Sequence, residues 1–135
     1  MILVDTSVWI EVFRARRPLV LTSLVEFDDV VTCLPVVQEV LQGFRDDGAF
    51  AVAREAMLSL PIVEAPLGEQ TVLEAVALYR RARRAGRTVR SSVDCLIAAC
   101  ALRADLEVLH RDRDYAELAA VSGLRERSIS RAVAP

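Results

Sequence analysis

Five acidic residues of this 135-residue chain stand where carboxylates can do chemistry. Asp5 directly follows an apolar run, residues 1–4, which reads as a short buried strand. Asp112 and Asp114 follow Val108 and Leu109, a second strand candidate. Asp94 sits in the first turn of the most apolar helical stretch, residues 93–102. Glu39 lies on a helix over 36–44, away from the centre of the apolar stripe made by residues 36, 37, 40, 41 and 44, and so is free to face a cleft. Carboxylates brought together repel, and each raises its neighbours' pKa, so a fold keeps such a cluster when something positive neutralises it. With no lysine and one histidine, a hard divalent cation such as Mg2+ or Mn2+ is the partner these oxygen donors favour. Such a centre can activate water and offset the charge of in-line attack on a phosphodiester.

Every one of these acids also has an ordinary structural role open to it. Asp5, at a strand end, can cap the next helix. Ser91 and Asp94, three apart, fit a capping box. Glu39 alone reads equally as a solvated helix residue, and Asp112 and Asp114 as turn residues. Convergence in space is what would separate chemistry from punctuation.

The elements that must bring about that convergence are legible in outline. Strands are expected over 1–4, 30–32, 62–63 and 108–109, with one more around Ile129 in a polar, alanine-rich tail that begins near residue 125. Helices are expected over 8–14, 19–27, 36–44, 49–60, 69–85, 93–102 and 115–121, with Pro35 in a first helical turn and Gly86 at a C-terminal cap. Short apolar strands alternating with helices imply a single α/β domain over 1–135, with a mainly parallel central sheet flanked by helices. In such sheets ligands sit beyond the carboxyl ends of the strands, which is where Asp5 and Asp112 fall.

Composition removes several alternatives. Seventeen bases, all arginine, face nineteen acids, so no strong overall field draws the chain to nucleic acid. Cys33, Cys95 and Cys100 lack disulfide or zinc-site spacing and read as buried thiols. A charge at the fifth residue argues against a signal peptide, and no apolar run is long enough to span a bilayer; a cytoplasmic location is expected. A phosphotransfer domain with an aspartate after its first strand usually needs a nearby lysine, which is absent. A dinucleotide-binding domain fails because no Gly-x-Gly-x-x-Gly follows the first strand.

Four blocks of sequence then fit one pattern. The opening Ile2-Leu3-Val4-Asp5-Thr6-Ser7-Val8-Trp9-Ile10 resembles the start of PIN-domain proteins. Glu39, in Val-x-Glu-Val-Leu-x-Gly, matches that family's second acid. The stretch from Val89 to Ala99 resembles the central motif of VapC-type toxins, as does Leu109-His110-Arg111-Asp112-Arg113-Asp114-Tyr115. The resemblance implies a Rossmann-like PIN fold and a Mg2+- or Mn2+-dependent endoribonuclease. It also implies a homodimer neutralised by a small cognate VapB-type antitoxin. By position it makes Asp5, Glu39, Asp94 and Asp112 the catalytic set, with Asp5, Asp94 and Asp112 on the metal and Asp114 an alternative to Asp112. Thr6 and Ser7 would line the site. The alternative within the same fold is a non-catalytic PIN-like binding or regulatory module.

Arg80, Arg81, Arg83, Arg84, Arg87 and Arg90 form the densest basic stretch, leading into the loop before Asp94. They suit a solvated helix end, where bases complement the macrodipole. Arg84, Arg87 and Arg90 equally suit a rim that holds RNA phosphates beside the acids. Trp9 and Phe13, four apart, read as core, whereas the apolar 19–27 helix offers a groove for an antitoxin.

Overall fold

The structure, a computed structural model, describes residues 1–129; the rest of the expected tail, residues 130–135, lies outside the described residues. Five strands, β1 (Ile2–Val4), β2 (Val30–Cys33), β3 (Ile62–Val63), β4 (Glu107–His110) and β5 (Arg125–Ser128), form one sheet in the order β3-β2-β1-β4-β5. Every pairing is parallel, with Leu3 in register with Val31 on one side and Val108 on the other. A parallel strand covered on both faces must be apolar throughout, and Ile2, Leu3 and Val4 meet that demand, all of them buried. Each such side chain removed from water contributes about 1.5–3 kcal/mol.

Six helices connect the strands: α1 (Thr6–Val12), α2 (Leu34–Gln42), α3 (Asp47–Leu58), α4 (Glu69–Arg84), α5 (Ser92–Arg103) and α6 (Asp114–Ala119). Helices α1, α2 and α3 pack in series, α4, α5 and α6 pack on one another, and α2 also touches α5. The chain runs outward from β1 through β2 to β3, then returns by α4 and α5 to the far side of β1 as β4. That reversal makes β1 and β4 the switch point of the sheet, and their carboxyl ends open on one crevice. The connection into this crevice is set by Gly86, whose φ of 74° is open to glycine at little cost. Its amide reaches the Arg83 carbonyl at 3.1 Å, and the Arg87 amide reaches Ala82 at 2.9 Å, closing the last turn of α4.

Two expectations are revised. Residues 19–27 form no continuous helix; short 3-10 turns occupy Leu21–Ser23 and Phe27–Asp29. Val20, Thr22 and Val25 are β-branched, Ser23 turns its hydroxyl onto the Val20 carbonyl at 2.6 Å, and Leu21 alone is buried. The apolar spacing there reflects buried Leu21, with Leu19, Leu24 and Val25 packed half-buried against the core and Val20 and Phe27 exposed, not a helical face. The tail strand is β5 at 125–128, ahead of the expected Ile129; that residue follows it, buried, its amide on the His110 carbonyl at 2.8 Å. Edge strand β5 carries Arg125, Glu126 and Arg127, charges that discourage further strand addition.

Candidate metal centre

Asp5 ends the central strand, and its backbone amide donates to the Leu109 carbonyl at 2.9 Å, fastening the end of β1 to the end of β4. Its side chain does what a strand-end aspartate can do structurally: Oδ2 accepts the Ser7 amide at 3.0 Å and caps α1. It also accepts the Ser7 hydroxyl, at 2.5 Å, while that same hydroxyl oxygen accepts the Arg111 amide at 2.8 Å. Ser7 therefore ties the β1 end to the loop after β4. Asp5 is buried, at 2 % exposed.

Asp94 has another environment. It lies in the first turn of α5, 5 % exposed, and its Oδ2 has no hydrogen-bond partner among the described residues. The capping-box reading does not hold: Ser91 is the N-cap residue of α5 but makes no side-chain cap bond. Instead the Arg90 and Ser91 amides donate to Asp114 Oδ2 at 3.1 and 3.0 Å. Asp114, fully buried, thus clamps the loop leading into α5, and its Oδ1 accepts no hydrogen bond among the described residues, with the Arg90 guanidinium 3.8 Å away. Asp112 completes the loop by accepting the Asp114 amide on Oδ1 at 2.9 Å. One oxygen from each of Asp94, Asp112 and Asp114 lies within 4.8 Å of the other two. Asp112 and Asp114 are therefore not alternatives in space; both border Asp94.

Burial pushes the Asp94 carboxyl up to about 9, with the charges of Asp5 and Asp112 adding to the effect. Glu39, half-buried on α2, is also raised, first by burial; the Thr6 hydroxyl bond, donated to Oε1 at 2.8 Å, opposes this, and the charges of Asp5 and Asp112 reinforce it. Those contributions put Glu39 in the same electrostatic neighbourhood as the cluster. The site consequently holds more negative charge than its own hydrogen bonds neutralise. Buried carboxylate oxygens without hydrogen-bond partners among the described residues and an all-oxygen donor set fit a hard divalent cation.

The sequence-level reading missed two supports. Tyr115, on α6, is completely buried, and its hydroxyl donates to Asp5 Oδ1 at 2.5 Å and lies 3.4 Å from Asp94 Oδ1. Burial first, then the charges of Asp5 and Asp94, hold its pKa well above the usual phenol value, so it stays a donor. The signal was its type: a tyrosine on the buried side of an apolar helix needs a partner for its hydroxyl. His110 is the second. Its Nδ1 accepts the Asp112 amide at 3.1 Å, which leaves the proton on Nε2 to meet Glu126 Oε1 at 2.8 Å. Strand β5 thereby braces the acidic loop.

The three expected rim arginines lie in different settings. Arg90 extends its guanidinium toward Asp114, 3.8 Å from Oδ1, and remains largely exposed. Arg87 pairs with Glu117 of α6 at 3.0 Å. Arg84 is exposed at the last residue of α4. Trp9 and Phe13 are stacked at 5.8 Å, with Phe44 edge-on to Phe13 at 5.6 Å. Trp9 is buried, as core packing requires, and its indole N–H donates to the Val4 carbonyl at 3.1 Å.

Residues 2–121 match the model of the PIN domain family. Over 134 residues the chain is 37 % identical to ribonuclease VapC11 of Mycobacterium tuberculosis, covering 95 % of this chain and 98 % of that protein. A VapC ribonuclease of Mycobacterium bovis is equally similar, 37 % identical with the same coverage. Among solved structures, VapBC-5 of M. tuberculosis superposes with a TM-score of 0.70 at 22 % identity, over 94 % of this chain and 97 % of that one. FitAcB of Neisseria gonorrhoeae does so with a TM-score of 0.69 at 20 % identity, over 93 % and 96 %. At those identities the structures speak for the fold.

Proposed function

Given that the chain belongs to the PIN-domain family, we propose that it is an endoribonuclease toxin of the VapC type that hydrolyses RNA with a divalent cation, Mg2+ or Mn2+. One observation carries the reading. Asp94, Asp112 and Asp114, from two separate segments, bring three carboxylate oxygens within 4.8 Å, beside Asp5 and Glu39. Asp5, Asp94 and Asp112 are the ligand set, with Asp114 at the same edge. When bound, the cation supplies the positive charge that ionises the cluster and the Lewis acidity that water and a phosphoryl oxygen require.

The chain's own residues do the rest. Glu39, with its raised pKa and its Thr6 partner, stands where it can take a proton from an attacking water. Thr6 and Ser7 line the site by holding Glu39 and Asp5 in place. Arg84, Arg87 and Arg90 run from the end of α4 into the loop before Asp94 and suit the holding of phosphates of a single-stranded or looped RNA. Arg90 suits this role best, because its guanidinium is largely exposed and joined to the cluster through Asp114.

Two surfaces support partners. A concave apolar groove lined by Trp9, Ile10, Phe13, Val40 and Phe44 adjoins Glu39, so an apolar segment of a cognate VapB-type antitoxin seated there would close one side of the site. Exposed Val72, Leu73, Val76 and Tyr79 form an apolar row along α4 that favours a homodimer. Among the described residues no helix is long and apolar enough to cross a membrane, which accords with a cytoplasmic role.

The non-catalytic alternative has less behind it, since such a module gains nothing from an unneutralised acidic cluster. The deciding experiment is cleavage of total RNA with Mg2+ or Mn2+, with EDTA and with Asp94→Asn. Cleavage that needs the cation and is abolished by the substitution is expected. Cleavage that survives both, or none by the native chain, would sink the proposal.

A further inference from the structure

The hydrogen bonds around Tyr115 go beyond the acids. Among the described residues its hydroxyl is the one side-chain donor on Asp5 Oδ1, while Asp5 Oδ2 is taken by the Ser7 amide and hydroxyl. The same oxygen lies 3.4 Å from Asp94 Oδ1, too far to serve it as well as it serves Asp5. A phenol has a single proton, and here that proton goes to Asp5. Asp94 Oδ2 is left without a partner among the described residues. We propose that Tyr115 is a positioning residue for cation binding: its hydroxyl holds Asp5 Oδ1 in place beside the Asp94 carboxyl.

The placement supports this. Tyr115 enters from α6, the element that also carries Asp114, and its ring packs at 4.9 Å from the His110 ring, on the strand before Asp112. One side chain thus links the β1 end, the first turn of α5 and the acidic loop. Phenylalanine would fill the same space and supply no donor. Asp5 would then keep its Ser7 contacts on Oδ2 but lose the one on Oδ1, and the cation would have to order that oxygen itself. Groups that orient ligands in this way typically change metal affinity about 10- to 100-fold when removed.

The inference rests on the divalent-cation reading, and the test separates the two. Mn2+ binding is titrated by proton relaxation in the native chain and in Tyr115→Phe, with far-UV circular dichroism and metal-free melting as controls. The expected result is a native-like fold with Mn2+ affinity weakened about tenfold or more, and cleavage regained at high Mn2+ through a raised metal requirement rather than a lowered limiting rate. Independently, Tyr79→Phe leaves Tyr115 as the sole tyrosine. Its ring Cζ resonance should move on Mg2+ addition, which a purely space-filling tyrosine would not show. Unchanged Mn2+ affinity in Tyr115→Phe overturns the inference. If that variant does not fold, a Cζ signal indifferent to Mg2+ overturns it. A native chain that takes no Mn2+ overturns the cation reading and this one with it.

Discussion

Replacing Asp94 by asparagine should stabilise the protein while destroying its activity. Asp94 is 5 % exposed, and burial, Asp5 and Asp112 raise its carboxyl from an ordinary 3.8 to about 9. In the unfolded chain it is ionised at neutral pH; in the folded, cation-free chain it is protonated. A carboxyl raised on folding contributes its full share of stability only below the unfolded pKa, and loses it as pH climbs toward the folded value. At pH 7 the group is about three pH units above its unfolded pKa, which at ~1.4 kcal/mol per unit costs the native fold on the order of 4 kcal/mol. Asparagine is neutral in both states and escapes that cost. For a domain of this size the gain corresponds to a melting rise of roughly 15 °C in EDTA. Below about pH 4 it should vanish, because both forms of Asp94 are then protonated. Melting curves of both proteins from pH 5 to 8, with EDTA and with saturating Mg2+, test this. Mg2+ should raise the native chain and leave Asp94→Asn nearly unmoved. A variant that melts at or below the native chain near neutral pH in EDTA, or a difference that does not change with pH, would refute the account of a strained, charge-crowded cluster.

Three further outcomes follow from the same geometry. Because a proton must leave Asp94 before a cation can use it, apparent cation affinity should rise about tenfold per pH unit between about pH 6 and 8; calorimetry in buffers of different ionisation enthalpy reads the released proton directly. Replacing Arg84, Arg87 and Arg90 together by glutamine should weaken binding of RNA to an Asp94→Asn background and flatten its dependence on salt, and an unchanged salt slope would remove these residues from the RNA path. Trp9→Ala, which empties a buried stack against Phe13 and frees the Val4 carbonyl, should cost about 3 kcal/mol or more in urea unfolding.

The parts of this molecule that were legible in advance share a cause. Strand β1 is buried on both faces, so it is written as an unbroken apolar run, and the aspartate that follows it is conspicuous. Strand β4 has only Val108 and Leu109 as its apolar pair, between Glu107 and His110, yet that pair was enough to point to Asp112 and Asp114 beyond it. Glu39 was found by its angle from an apolar stripe, and the half-buried side chain bonded to Thr6 bears out that angle. Local spacing was a poorer guide where a remote partner decides the outcome. Ser91 and Asp94 have the spacing of a capping box, yet Asp114, more than twenty residues away, takes the amides instead. Residues 19–27 have helix-like apolar content, but their β-branched residues and the Ser23 hydroxyl bond to the Val20 carbonyl leave only tight turns. Tyr115 was invisible as a functional residue because its meaning lies in one oxygen atom, and what that oxygen touches is fixed only by the tertiary fold.

The contact between Tyr115 and Asp5 joins residues 110 positions apart. Strand β1 is made first, but its partner β4 and the helix after it come near the end of the chain. During synthesis, therefore, a lengthening chain carries its first acid long before it possesses the pocket that gives that acid a purpose. The acidic cluster can therefore assemble only once β4 and α6 have docked against β1.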